Sequence, residues 1–305
     1  MIQATAFHAG VRVNKDEIFD ARDSCLICRS RQPRKVVFTV QRDPDVEMLT
    51  CSSCGASSAS QMPRPALLER YYRQYYEPGA SQYTFIEPRR FARHLLAFMG
   101  GLAAASSLRI LDFGGGDGSL AFAIARELQI QAGGLIPVAV DVVDHVVPGH
   151  PDLPNLIVHG HRELRHVEGQ FDLILASAIL EHIPDAYSAI RALTSAARTG
   201  GYFYARTPFV LPMAKFLPLN ITYPAHVHDM GSSFWNKFIQ TFGLRAHLLA
   251  SRPSLVETTM AEHPLRSLVA HALKLPALIE LKLFGQNRTP WWRLVGGWEV
   301  VLRFE

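Results

Sequence analysis

Two groups of residues in this sequence have types and spacings that could do chemistry. The first is four cysteines in two pairs, Cys25-Leu-Ile-Cys28 and Cys51-Ser-Ser-Cys54, with a hairpin's length of chain between the pairs. Each C-x-x-C turn aims two sulfurs and several backbone N–H groups at one point. Four thiolates then make the closed tetrahedral shell of a structural zinc ion, with no position left for water. Arg29, Arg31, Arg34 and Lys35 lie close in sequence and offset the negative charge of such a site. Disulfides and a C-x-x-C redox pair are the alternatives. Disulfides fit poorly with an N-terminus that lacks a secretion pattern, and a redox pair needs no twin. The second group is Asp112-Phe-Gly114-Gly-Gly116-Asp-Gly118-Ser119, an acid leading into a turn with glycine at alternate places. Glycine is wanted where the backbone must turn sharply and let a ligand come close. A loop that cradles a pyrophosphate wants another glycine where Ser119 stands, and Asp112 would repel that anion. The same acid suits a ligand that carries an ammonium and a sulfonium.

These residues need elements to position them. An apolar strand runs up to Asp112, and a helix over 120–128 follows the loop. A second strand over 137–140 ends at Asp141, where a carboxylate is placed to take both hydroxyls of a ribose. A third strand spans 156–159. The run 171–176 is apolar throughout and reads as a parallel strand buried on both faces. Glu181-His182-Ile-Pro-Asp185 and a helix to about 197 come next, closed by Gly200-Gly201. A strand starts at 202–205, a helix spans 233–242, and strands cover 244–250 and 298–304. Alternating strands and helices imply a parallel sheet covered on both faces.

Asp-x-Gly-x-Gly-x-Gly resembles the first motif of the class I S-adenosylmethionine-dependent methyltransferases, and 171–208 resembles their later motifs in the right order. The cysteine pairs, Met62-Pro-Arg-Pro65 and the tyrosine-rich stretch 67–76 are similar to a bacterial subgroup with an N-terminal zinc ribbon. Its members methylate sugars, sugar nucleotides or natural-product intermediates on oxygen or carbon. The resemblance implies a Rossmann-like seven-stranded sheet with helices on both faces, plus the small four-cysteine zinc ribbon. It implies S-adenosylmethionine and structural Zn2+ as cofactors and a small-molecule methyl acceptor. Gly114, Gly116 and Gly118 would line the methionine part, and Asp112 would hold its ammonium. Asp141 would take the ribose and Val142 the adenine face. Many relatives have an aspartate after the third strand for the adenine amine; here His161, Arg162 or a backbone carbonyl must serve. Ser177 and Ala178 would pass close to the sulfonium, and Tyr83 would close over the methionine end.

An alcohol or carbon acid needs a base to accept its proton. His226 and His228 follow the fifth strand and alternate on an extended chain, so they share a face; either would be base or substrate ligand. A structural histidine, bonded to a loop carbonyl, is the competing reading. His182 would line the pocket or cap the helix after it. In some ubiquinone-pathway O-methyltransferases a similar Glu-His, with a further Glu three residues earlier, holds a divalent metal. Here that earlier place is Ala178, which argues against a catalytic metal.

The chain divides into a ribbon with its N-terminal lead (1–64), linker helices (65–100), a catalytic domain (101–254), a helical insertion (255–290) and a final strand (291–305). With 305 residues, 48% hydrophobic and 19% charged, it has the composition of a globular protein with a sizeable core. No apolar run reaches spanning length, so a cytoplasmic protein is expected. Net charge +4 is mildly basic, but the basic residues are scattered rather than clustered, which speaks against nucleic acid. The segment 263–285 alternates apolar and basic residues and could touch a membrane surface, a second subunit or the core; Pro276 should split it into two helices. An RNA methyltransferase gripping its substrate through the ribbon, a scaffold that has lost its cofactor and a nicotinamide oxidoreductase are the rival classes. The acceptor and the oligomeric state are left open.

Overall fold

The computed structural model describes residues 12–75, 87–102, 105–134, 136–214, 223–254, 264–284 and 296–305. At the front, β1 (Arg34–Gln41) and β2 (Val46–Cys51) form an antiparallel hairpin, to which β3 (Ser57–Ala59) adds. Helix α1 (Pro65–Tyr75) follows, then α2 (Pro88–Leu96), which buries Phe91, Ala92, Leu95 and Leu96 on one face and starts with proline in its first turn.

The large sheet begins with β4 (Leu108–Phe113), the glycine turn and α3 (Ser119–Gln131). It continues through β5 (Val138–Val143), β6 (Leu156–His161), β7 (Phe171–Ser177), α4 (Ala186–Ser195) and β8 (Ala197–Phe209). Then come α5 (Leu211–Ala214), β9 (His228–Asp229), α6 (Ser232–Trp235), α7 (Phe238–Phe242), β10 (Ala246–Pro253), α8 (Pro264–Phe284) and β11 (Gly296–Phe304). Seven strands pair in the order β10-β11-β8-β7-β4-β5-β6. The strands β6, β5, β4, β7 and β8 run parallel, and β11 is reversed against both β8 and β10. Every residue of β7 is buried, as its unbroken apolar pattern requires. One face packs α2 and α3 over Ile110, Val140, Leu173 and Tyr204. The other packs α4, α6 and α7 over Leu111, Ile174, Phe203 and Trp298. The expected α/β architecture is therefore present, and its strand ends meet where β4 turns into α3 and β7 turns toward α4.

Three expectations need correction. The helix read over 233–242 is broken at Asn236 and Lys237 into α6 and α7, and Phe234, Trp235 and Phe238 are all buried in the core. Pro276 does not split 263–285, because α8 runs through it. Lys274 Nζ donates to the Ser254 carbonyl at 2.7 Å on one side of the proline and Ala277 is fully buried on the other, which holds both halves in line. The ribbon also reaches beyond residue 64. Strand β9, inside the segment assigned to the catalytic domain, pairs antiparallel with β3 and completes a four-stranded sheet in the order β1-β2-β3-β9.

Candidate functional site

The two cysteine turns are built alike. In each, the residue after the second cysteine has a left-handed backbone, Arg29 at φ 58° and Gly55 at φ 80°. In each, that residue donates to the carbonyl of the first cysteine at 2.9 Å. The thiols are not paired as disulfides. Cys25 Sγ lies 3.8 Å from Cys54 Sγ, and Cys28 Sγ lies 3.8 Å from Cys51 Sγ. Sulfurs at about 2.3 Å from a tetrahedral zinc sit about 3.8 Å apart, so the donor set fits that ion in kind and in spacing.

The glycine loop leaves β4 with Gly114, Gly116 and Gly118 at φ 72°, 57° and 81°, a region that side chains other than glycine adopt at a cost. Gly115 lies across the Asp112 carboxylate, where a Cβ has no room. Asp112 is buried and its Oδ2 has no hydrogen-bond partner. Burial, and then the charge of Asp144, push its pKa up to about 7, against a hydrogen bond from the backbone at Ala121. An orphaned acid beneath a loop stripped of side chains fits the ammonium end of a bound cofactor.

The strand register decides which acid meets that loop. Asp141 pairs with Leu111, deep in β4, whereas Val143 pairs with Phe113, so Asp144 follows at the level of the first loop glycine. Gly116 N donates to Asp144 Oδ2 at 3.0 Å, and Val146 N donates to its Oδ1 at 3.0 Å. Asp141 is turned elsewhere and is 3% exposed. Its Oδ1 takes His161 Nε2 at 2.8 Å and its Oδ2 takes Arg109 at 3.1 Å. The ribose role expected of Asp141 therefore meets a buried carboxylate held by two side chains, one of them His161, whereas Asp144, which also accepts at both oxygens, is partly exposed beside the loop. Val142 is also displaced from its expected place, since it is fully buried beneath Gly118 rather than open to an adenine. Arg162 is exposed at the end of β6. Tyr83 lies outside the described residues.

At the end of β7, Ser177 Oγ accepts from Arg206 Nε at 3.2 Å, and Ala178 sits at φ 56° with its N–H on the Arg206 carbonyl. A left-handed alanine is strained, as backbone next to a functional site often is. The turn brings Glu181 and His182 beneath the loop from 225 to 229. His182 Nδ1 donates to the Ala225 carbonyl at 3.1 Å, with the Tyr72 hydroxyl 3.3 Å away. The rings of His182 and His226 meet edge to face at 4.5 Å. Burial lowers the His182 pKa to about 4, so the ring is neutral, and raises that of Glu181 to about 8. One ligand atom each of Glu181, His182 and His226 lies within 4.8 Å of the others.

His228 does not belong to this group. It is 1% exposed, its Nε2 donates to the Ile183 carbonyl at 2.9 Å, and its Nδ1 accepts from Ser58 Oγ at 2.9 Å. With both nitrogens engaged, it ties β9 to β3 and is no base. Asp144, Ser58, Tyr72 and Ala225 are site residues that the sequence pattern does not single out. For Asp144 a signal exists: Val142-Val143 extends the apolar run past Asp141, so the strand does not end there.

In open α/β sheets with a glycine turn after the first strand, ligands bind across the carboxyl ends of the strands, where the acids of this chain stand. Residues 84–246 match the family described as a methyltransferase domain. The chain belongs to that family of methyltransferase domains. A ubiquinone biosynthesis O-methyltransferase of Xanthomonas campestris is 28% identical over 167 residues, 54% of this chain and 70% of that protein. One from Marinobacter nauticus is 32% identical over 81 residues, 26% of this chain, and the match spans 34% of that protein's length. Among solved structures, the plantazolicin methyltransferase BpumL in complex with a monoazolic desmethylPZN analog and SAH aligns with TM-score 0.46 and 11% identity, covering 72% of this chain and 86% of that one. Magnesium protoporphyrin IX methyltransferase from Synechocystis, with bound SAH, aligns with TM-score 0.42 and 14% identity over 79% and 95%.

Proposed function

We propose that this protein transfers a methyl group from S-adenosylmethionine to a hydroxyl oxygen of a small molecule. The observation that carries the reading is a convergence: the glycine loop with Asp112 and Asp144, and the cluster of Glu181, His182 and His226, adjoin the carboxyl ends of β4, β5 and β7. The names of the matched relatives support oxygen as the target. When bound, the cofactor supplies a methyl group already activated on a sulfonium.

The chain's own residues bind, align and accept a proton. Gly114, Gly116 and Gly118 let backbone approach the methionine part, Asp112 faces its ammonium, and Asp144 takes the ribose hydroxyls in place of Asp141. Ser177 and Ala178 border the transfer point, where alignment and exclusion of water do most of the catalysis. The hydroxyl proton leaves through the Glu181–His182–His226 cluster, in which His182 and His226 are partly exposed and Glu181 is buried. Cys25, Cys28, Cys51 and Cys54 hold a structural zinc that steadies the ribbon.

Calorimetric titration of the zinc-loaded protein with S-adenosylhomocysteine, with NAD as control, tests the reading. Micromolar binding of the first alone supports it, and screening then starts with hydroxylated sugars and phenols. A folded protein that binds neither is a scaffold.

A further inference from the structure

We propose that Glu181, His182 and His226 bind a divalent first-row transition-metal ion. Their ligand atoms lie within 4.8 Å of one another, and Glu181 Oε1 stands 3.9 Å from His182 Nε2. The other carboxylate oxygen, Oε2, is buried without a hydrogen-bond partner in a residue only 1% exposed. A buried carboxylate oxygen without a hydrogen-bond donor is costly; Arg206 acts on Glu181 through its charge, and a metal ion bound directly would offset the remaining cost. His182 is already oriented as metal-bound histidines are: its Nδ1–H donates to a backbone carbonyl, Ala225 O, which leaves Nε2 as the unprotonated donor.

Ala178 offers no donor, which in the sequence alone argues against a metal here. The third donor comes instead from the loop that precedes β9. His226 stands next in the chain to Ala225, so one loop supplies both a ligand and the carbonyl that orients another. Two imidazoles and one carboxylate select zinc, cobalt, nickel or iron over magnesium and calcium, which favour all-oxygen shells. Three protein donors leave open positions for an oxygen of the acceptor.

This site deepens the proposed O-methylation and rests on that reading only for the steps after metal binding. With the ion bound, the three side chains act as its ligands rather than as the proton path, and an acceptor hydroxyl held on the ion is acidified and loses its proton to solvent water. Its oxygen then forms the bond to the methyl carbon as the sulfonium–methyl bond breaks. The acceptor class is accordingly one whose hydroxyl can ligate a metal.

The test is a Co2+ titration of the zinc-loaded holoprotein, read by visible absorption, with S-adenosylhomocysteine affinity measured on the same samples. One equivalent should bind with the weak bands of nitrogen and oxygen ligation. His226→Gln and Glu181→Gln should each weaken it at least about tenfold, since loss of a ligand exceeds the effect of losing an orienting partner. Cofactor affinity should stay unchanged in both variants, so a failure of the metal site is distinguishable from a failure of the methyltransferase reading. Absence of cobalt binding, absorption carrying only thiolate charge-transfer bands, or equal binding by His226→Gln would each overturn the proposal. His226 is partly exposed, so that variant keeps the fold if Glu181→Gln does not.

Discussion

At the scale of single residues, a carboxylate's use depends on the groups that already hold it. Asp141 and Asp144 sit in the same stretch of sequence, yet one is locked to Arg109 and His161 while the other accepts backbone N–H groups beside the loop. Asp144→Ala should weaken S-adenosylhomocysteine binding at least about tenfold, or about 1.4 kcal/mol, through loss of a two-point ribose contact. Asp141→Asn should lower thermal stability and leave that affinity near wild type; the reverse pattern in calorimetry would restore the ribose role to Asp141. Asp112 gives a pH signature. Its folded pKa, about 7, stands above the unfolded value of about 3.9, so its contribution to apo-protein stability is complete at low pH and is lost as pH rises between those values. A cationic ligand group needs the ionised form, so cofactor affinity should climb as pH rises toward about 7, by at most about tenfold per unit, and then level off. Asp112→Asn should flatten that profile, and an unchanged slope would remove Asp112 from the ammonium site.

At the scale of elements, the ribbon and the histidine loop are one construction. Cys51 and Cys54 flank the chain that enters β3, β3 pairs with β9, and Ser58 on β3 holds His228 on β9. Shortly before β9 stand His226 and Ala225, the latter bonded to His182. Removing the zinc by a strong chelator, or by Cys51→Ser, should therefore slow turnover far more than it weakens cofactor binding, because the glycine loop is built on β4, β5 and α3. Equal loss of both in paired kinetic and calorimetric assays would mean that the whole molecule had collapsed. The cysteine pairs, the glycine loop and the buried run of β7 are legible in the sequence because each rests on local spacing. The β3–β9 pairing is not, because nothing in the two-residue strand His228–Asp229 announces a partner that lies so far away in the chain. The choice between Asp141 and Asp144 is hidden for a related reason: it is made by register against β4, and register is a property of two strands.

At the scale of the molecule, the described residues hold no helix long and apolar enough to cross a membrane. Lys274, one of the lysines that suggest a membrane-facing α8, is buried on the Ser254 carbonyl, although Leu268, Leu275, Ile279 and Leu283 remain exposed along that helix. A buried charge joins the reversed edge of the sheet to its helical cover. Glu299 on β11 is 1% exposed and accepts from His94 of α2 at 2.9 Å, Arg252 of β10 at 2.8 Å and the Tyr204 hydroxyl of β8 at 3.3 Å. Burial alone would raise its pKa, but His94 and Arg252 more than offset that and hold it below the usual carboxylate range. This stabilisation is therefore present above the unfolded value of about 4.3 and is lost as pH falls through the lower folded one. Glu299→Gln keeps the shape but leaves His94 and Arg252 facing a neutral amide in a desolvated place. Breaking such a buried pair from one side costs about 3 kcal/mol. The urea midpoint of the variant should fall accordingly with an unchanged slope, and the acid sensitivity of the wild type should shrink. A stability within about 0.5 kcal/mol of wild type would show that neighbouring water already satisfies these donors, and that the ion-pair cluster adds nothing to what holds β10 and β11 to the rest.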